Sequence, residues 1–319
     1  MRKNFLIYKL SMLLAVVFLG LLPAHAEAKQ PTNAGQVQMT VTLRLLGDNK
    51  RMPEVGRDDL IVKQGSNLLQ VTGWTPASGD RAGLDLFILI DDACDPVLGS
   101  QLDDLRSFIN ALPSTTSVGV GYMRNGTVLI AQDFTTDHNR AAKALRLPIA
   151  SGGAYGSPYL SVIDLMKRWP AGSNRREIVM VTDGIDRFRR GPRYPAFSYI
   201  SPDVDSASRM AQRTGTIIHT IFARGVGRWG SNFWEITNGQ NGIAKLSDET
   251  GGESYFLGTQ NPVSFKPYLD SLQKALDSQY LLEFRAIPGK RPVLQYVKLT
   301  TEVAGVELNS ADNVWVDAK

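Results

Sequence analysis

The chain has 319 residues, 43% of them hydrophobic, which is enough for one large globular domain and a small one. Its 35 basic and 31 acidic side chains become 32 against 31, a formal charge of +1, once Arg2, Lys3 and Lys9 of the N-terminal segment are set aside, so bulk charge gives no case for nucleic acid. One cysteine, Cys94, excludes an intramolecular disulfide, and three histidines leave little for zinc or serine–histidine chemistry.

The first residues have the form of a secretory signal. Arg2, Lys3 and Lys9 are basic, Leu10 to Leu22 is an apolar run of 13 residues, and Ala24-His25-Ala26 offers small residues where a signal peptidase reads them. A membrane span needs about 20 apolar residues, and this run is bounded by Lys9 and Pro23. Residues 1–26 are therefore expected to be cleaved after Ala26, leaving an exported chain without a membrane span.

The mature chain is expected to open on β structure over 27–79. Gln36 to Leu46 alternates as a half-buried strand, and Asp59 to Gln70 reads as a hairpin around Gly65-Ser66. At Leu84 the pattern changes. Leu84 to Ile90 is almost continuously apolar, as in a strand buried on both faces, and Gln101 to Leu112 has helical spacing. Val118 to Met123 and Thr127 to Phe134 flank Asn125-Gly126, a two-residue hairpin signal. Helices are predicted at Asn139 to Leu145 and Tyr159 to Trp169, and a buried strand at Glu177 to Thr182. Ser201-Pro202 starts a helix that runs to Arg213, and Thr216 to Phe222 is another core strand. Ile243 to Thr250 ends at Gly251-Gly252, followed by a short strand at Ser254 to Leu257 and an amphipathic helix at Ser264 to Ser278. Strands return at Tyr280 to Ala286, Val293 to Thr301, Gly305 to Leu308 and Val314 to Val316. The expected fold is α/β: a doubly wound, mostly parallel sheet over 80–278, inserted in a small β-sandwich made by 27–79 and 279–319. Ligands of such sheets bind in loops at the carboxyl ends of the strands.

The segments LFILIDDACD, SGGAYGSPYLSVIDLM, REIVMVTDG, TIIHTIFARGVG and AKLSDETGGESYF occur in that order. In order and spacing they resemble von Willebrand factor type A domains, and with the flanking strands they resemble the exported bacterial proteins related to that family. The resemblance implies a divalent-cation site built from an Asp-x-Ser-x-Ser loop, a distant Thr and a distant Asp. Asp91 matches the first Asp, Asp183 the last, and Ser157 the Thr, while Ala93 and Asp95 replace the two loop serines. Losing a hydroxyl removes a ligand, and Asp95 adds a carboxylate, so any cation held would be calcium in preference to magnesium. The alternative is a metal-free site whose aspartates cap loops through backbone N–H groups.

Beside it, Arg187, Phe188, Arg189, Arg190, Arg193 and Tyr194 follow Asp183, and Arg224, Arg228 and Trp229 follow the next core strand. Arginine forks interleaved with aromatic faces suit a protein hot spot. The glycines of Gly225-Val226-Gly227-Arg228-Trp229-Gly230, the sequon at Asn125 and isolated His138, His219 and Cys94 lack the context that cofactor, glycan or catalytic roles require. The expected function is an exported, non-catalytic adhesion or scaffolding module for a protein or envelope-surface partner. The other reading is a hydrolase whose strand-end aspartates hold an activating metal.

Overall fold

Where the period of the apolar pattern changes, so does the kind of sheet. The computed structural model describes residues 35–47, 52–150, 156–188 and 200–319; the expected signal segment lies outside them. The described chain opens on four strands, β1 (Gln36–Leu45), β2 (Leu60–Gln64), β3 (Asn67–Leu68) and β4 (Gln70–Pro76). The first half of the α/β part is β5 (Leu84–Asp91), α1 (Gly99–Ala111), β6 (Thr116–Arg124), β7 (Thr127–Thr135), α2 (His138–Lys143) and α3 (Pro158–Lys167). Its second half is β8 (Arg175–Thr182), α4 (Pro202–Thr214), β9 (Thr216–Phe222), α5 (Gly227–Gly230), α6 (Phe233–Thr250), β10 (Ser254–Tyr255) and α7 (Lys266–Asp277). The chain closes on β11 (Gln279–Arg285), β12 (Val293–Tyr296), β13 (Lys298–Thr301), β14 (Val306–Asn309) and β15 (Asn313–Val316).

The α/β sheet has the order β10-β9-β8-β5-β6-β7, parallel except for the last strand. Strand β5 lies inside it, and its apolar run buries alternate residues in two cores. Leu86, Ile88 and Ile90 face α1 and α7, and Phe87 and Leu89 face α3, α4 and α6. Asn125 and Gly126 both take positive φ, +53° and +74°, as the hairpin between β6 and β7 requires. On the exposed edge at β7, the Val128 N–H donates to Asp164 and its carbonyl accepts from Arg168, just past the end of α3. Ser201 caps α4 by accepting the Asp203 N–H, and Gly215, at φ +65°, ends it.

The terminal strands pair across the length of the chain. β1 lies between β11 and β14, with β4 outside β11, all antiparallel. Residues from both ends, among them Val41, Val62, Leu282, Phe284 and Val316, form one further core. Val293 to Thr301, expected as one strand, is two: β12 pairs with β15 and β13 with β2. The break falls at Val297, buried, with its N–H donating to the Asp312 carbonyl.

Helix α6 starts ten residues before the expected Ile243. Its first half, Phe233 to Gly242, contains Asn238, Gly239 and Gly242 and has weak helical propensity. Tertiary packing supplies what propensity lacks. A Cβ on Gly239 would fall 2.1 Å from the Asp183 carbonyl oxygen, and one on Gly242 would fall 2.2 Å from the Tyr159 hydroxyl. The glycines let α6 lie directly on the loop after β8.

A buried polar seam runs from the α/β sheet toward the terminal strands. His219 Nε2 lies 2.9 Å from Glu177 Oε2, and the Glu253 N–H donates to His219 Nδ1, which leaves the ring proton on Nε2. Arg175 donates to Gln279 and stands 4.0 Å from Glu177, and Arg44 pairs with Glu253 at 2.9 Å. Burial pushes the Glu177 carboxyl up, but the hydrogen bond from His219, with Arg175 and Gln279, holds it below the ordinary glutamate range.

Candidate functional site

Parallel pairing brings three strand ends to one edge. Ile90 is in register with Val181, and Val181 with Ile221, so Asp91 ends β5 beside Thr182, the last residue of β8, with Asp183 following β8 and Ala223 following β9. The loop after β5 is tied to the loop after β9. Cys94 bridges Gly225, the Asp95 N–H donates to the Arg224 carbonyl, and the Val226 N–H donates to the Ala93 carbonyl.

Each buried carboxylate on this edge is engaged by the protein. Asp91 accepts from the Ala93 N–H at 2.9 Å and from the Thr182 hydroxyl at 2.8 Å. Asp183 accepts from the Ile185 N–H at 2.9 Å, and Arg187 donates to both of its oxygens, to Oδ1 at 3.1 Å. The Arg187 side chain is only 8% exposed. Burial opposes its charge, and Asp183 more than restores it through charge and hydrogen bonds, so its pKa is raised. Burial first, and then the charge of Asp183, push the Asp91 carboxyl up to about 6. Asp92, wholly buried, holds Arg146 bidentately at 2.7 and 3.0 Å, and that guanidinium lies 3.6 Å above the Tyr122 ring. Asp186 accepts from the Ser201 hydroxyl and the Phe188 N–H.

Of the four expected cation ligands, Asp91, Asp183 and Ser157 lie near Arg187, and Asp95 turns to its own loop. Asp95 accepts the Val97 N–H at 3.0 Å and so caps its own turn. Asp91 and Asp183 each cap a loop through a backbone N–H group, of Ala93 and Ile185. Ser157 is buried, and its hydroxyl has no hydrogen-bond partner; it lines a small recess with Asp91, Ser161 and Arg187. Among the described residues no group of three or more His, Cys, Asp or Glu side chains is arranged to hold a metal ion. With both Asp183 oxygens taken by Arg187 and Asp95 turned to its own loop, these side chains as placed offer calcium or magnesium too few free oxygens.

The arginine edge divides. Arg187, expected at the contact surface, is turned inward, because an isolated buried Asp183 charge costs more than the arginine loses by leaving water. Phe188 is exposed. Arg189, Arg190, Arg193 and Tyr194 lie outside the described residues. Arg224 donates to the Gly230 carbonyl at 2.7 Å and to Gln260 at 3.3 Å, and Arg228 and Trp229 fall within α5.

What sequence reasoning missed here is Asp92, Arg146 and an apolar rim. The Asp91-Asp92 doublet was the available signal for the second buried pair. Of the eight large hydrophobic residues at least half exposed among the described residues, six lie in loops or helix starts after parallel strands: Val97, Phe188, Phe233, Trp234, Leu257 and Val263. Their topology places all six on the carboxyl edge.

The five segments singled out in the sequence fall on an α/β unit, with Asp91 and Asp183 at the carboxyl ends of its parallel strands as the sequence led one to expect. No family model and no curated protein matches the chain. Among solved structures it is similar to an aerotolerance-related membrane protein from Bacteroides fragilis, at 12% identity and a TM-score of 0.41 over 61% of this chain and 99% of that one. It is also similar to the conserved hypothetical protein BatB from Bacteroides thetaiotaomicron, at 12% identity and a TM-score of 0.42 over 60% of this chain and 97% of that one. A von Willebrand factor type A protein from Catenulispora acidiphila matches at 10% identity and a TM-score of 0.39, over 90% of this chain and 74% of that one. Among the described residues no helix is long and apolar enough to cross a membrane.

Proposed function

We propose that this protein is an exported, non-catalytic binding module of the cell envelope that receives a protein partner on the carboxyl edge of its six-stranded sheet. The observation that carries this reading is the concentration of exposed apolar side chains on that edge. Monomeric proteins seldom leave large apolar groups clustered unless a partner covers them, and aromatic anchors such as Phe233 and Trp234 supply most of the energy in protein contacts. In this reading the terminal strands form the small β-sandwich that carries the α/β domain as an insert, in an adhesion or scaffolding role.

Joint replacement of Phe233, Leu257 and Val263 by Ser tests it. Exposed positions tolerate such changes within about 0.5 kcal/mol each, so the variant should melt close to the wild type. Its affinity for the partner captured from an envelope fraction should fall by about tenfold or more, since a hot-spot side chain contributes on the order of 2 kcal/mol. The control replaces Leu68 and Tyr296, exposed away from this edge, and should bind as the wild type does. A folded edge variant that keeps its affinity while the control loses it would move the surface elsewhere.

Export has its own test. Intact-mass analysis of protein recovered from the periplasm or medium should show a chain starting at about Glu27, by the small-residue rule. A chain retaining Met1 in the membrane fraction would reverse this part of the reading.

A further inference from the structure

We infer that Arg187 is the resident cation of the strand-end site, so that the edge is kept in shape by a covalently attached positive charge and not by a metal ion. Two buried carboxylates, Asp91 and Asp183, approach from adjacent strands, and the Asp183 charge adds to the cost of ionising Asp91. The compensating charge is the Arg187 guanidinium, buried and bidentate on Asp183. Its place is prepared by the neighbouring strand end. A Cβ on Gly225 would fall 1.8 Å from Asp183 Oδ2 and 2.5 Å from Arg187 Nη2, so a side chain there would expel the pair. Arg187 reaches back from four residues beyond Asp183, and its backbone N–H donates to the Gly156 carbonyl at 3.2 Å, which fixes the loop on the side where Ser157 presents its unpartnered hydroxyl. A guanidinium delivers one delocalised charge in a planar fork, matched to a single carboxylate. A divalent ion would need several oxygens at short range, and Arg187 already holds the oxygens of Asp183.

The consequence is a substitution that should create a metal site. Arg187→Ser removes the fork, and the serine hydroxyl, one bond beyond Cβ, stays back at the loop. Asp91 and Asp183 then lack their compensating charge beside the unpartnered Ser157 hydroxyl, and a hydrated cation can take the place of the guanidinium. Melting and equilibrium dialysis with calcium or magnesium at about 10 mM, against EDTA, read the result on the full mature chain. The wild type should melt at the same temperature in all three solutions and retain no ion. The serine variant should melt roughly 5–10 °C lower in EDTA, recover several degrees with calcium or magnesium, and bind about one ion per chain. The recovery should vanish when Asp183→Asn is added. If the serine variant does not fold in EDTA, refolding with and without calcium decides the matter: recovery only with the ion supports the inference, and failure in both overturns it. Ion binding by the wild type, or a folded serine variant indifferent to both ions, also overturns it. None of these readouts involves a partner, so they stand or fall separately from the binding role.

Discussion

Gly239→Ala is expected to lower the melting temperature by about 5–10 °C, although alanine is the better helix former. In an open helix interior the exchange gains about 1 kcal/mol from propensity. At Gly239 the new Cβ would meet the Asp183 carbonyl oxygen at 2.1 Å, and a Cβ on Gly184, on the other side of the contact, would be about as close to the Gly239 carbonyl. Backbone cannot swing aside as a flexible side chain does, so either α6 or the loop after β8 must shift. Overpacking of this kind costs about 3 kcal/mol or more, which exceeds the propensity gain, and a chain of this size loses roughly 2–4 °C per kcal/mol. The shift would also disturb the loop that aims Arg187 at Asp183. Gly99→Ala is the control, since nothing lies within 4 Å of its Cβ direction at the start of α1, and it should be neutral or slightly stabilising. Thermal melts of the two variants give the comparison, and an unchanged Gly239→Ala melt would mean that α6 does not rest on that carbonyl.

Glu177→Leu should cost about 3–5 kcal/mol, the usual penalty for removing one partner of a buried charged network. It would strand the His219 Nε2–H and leave Arg175, itself 8% exposed at the side chain, without its carboxylate. Glu177→Gln keeps an acceptor for His219 and should lose less. The acid dependence follows from the depressed carboxyl. A glutamate whose folded pKa lies below its unfolded value stabilises the fold fully above the unfolded value, about 4.3, and loses that contribution as pH falls through the folded value. The stability gap between wild type and Glu177→Gln should therefore be widest near neutrality and close in acid. Urea melts at neutral pH and below about pH 4 would show it, and a gap that widened in acid would contradict the assignment.

The core strands were readable because burial on both faces leaves a continuous apolar run, as in Leu84 to Ile90 and Thr216 to Phe222, and few other arrangements produce one. Helix α4 was readable because Ser201 and Pro202 act locally at its start. Helix α6 was half hidden, since the glycines that seat it against Asp183 are the residues that dilute a helical pattern. The split at Val297 was hidden because both halves are strands and only the partner changes. At the site, Asp91 and Asp183 were legible from their places after buried strands. The inward turn of Arg187 was not, because an arginine four residues after an aspartate looks the same in sequence whether the pair is wet or buried. The rim escaped notice because its members are scattered singly along the chain and meet only through the parallel sheet.

The ladder between β1 and β11 joins residues 237 to 249 positions apart, from Thr42 with Gln279 to Gln36 with Arg285. As the chain leaves the ribosome, β1 emerges long before any strand that can pair with it exists. Its inward side chains, Val37, Met39, Val41 and Leu43, share a core with Leu60, Val62 and Leu69, made soon after them, and with Leu282, Phe284, Val306 and Val316, which come last. The first strand is thus also the last to be satisfied, and closure of that ladder must wait for synthesis to finish. Loop closure over such a separation is slow and comes late. With this wiring, β1 stays without its β11 partner until residues 279–285 have been made.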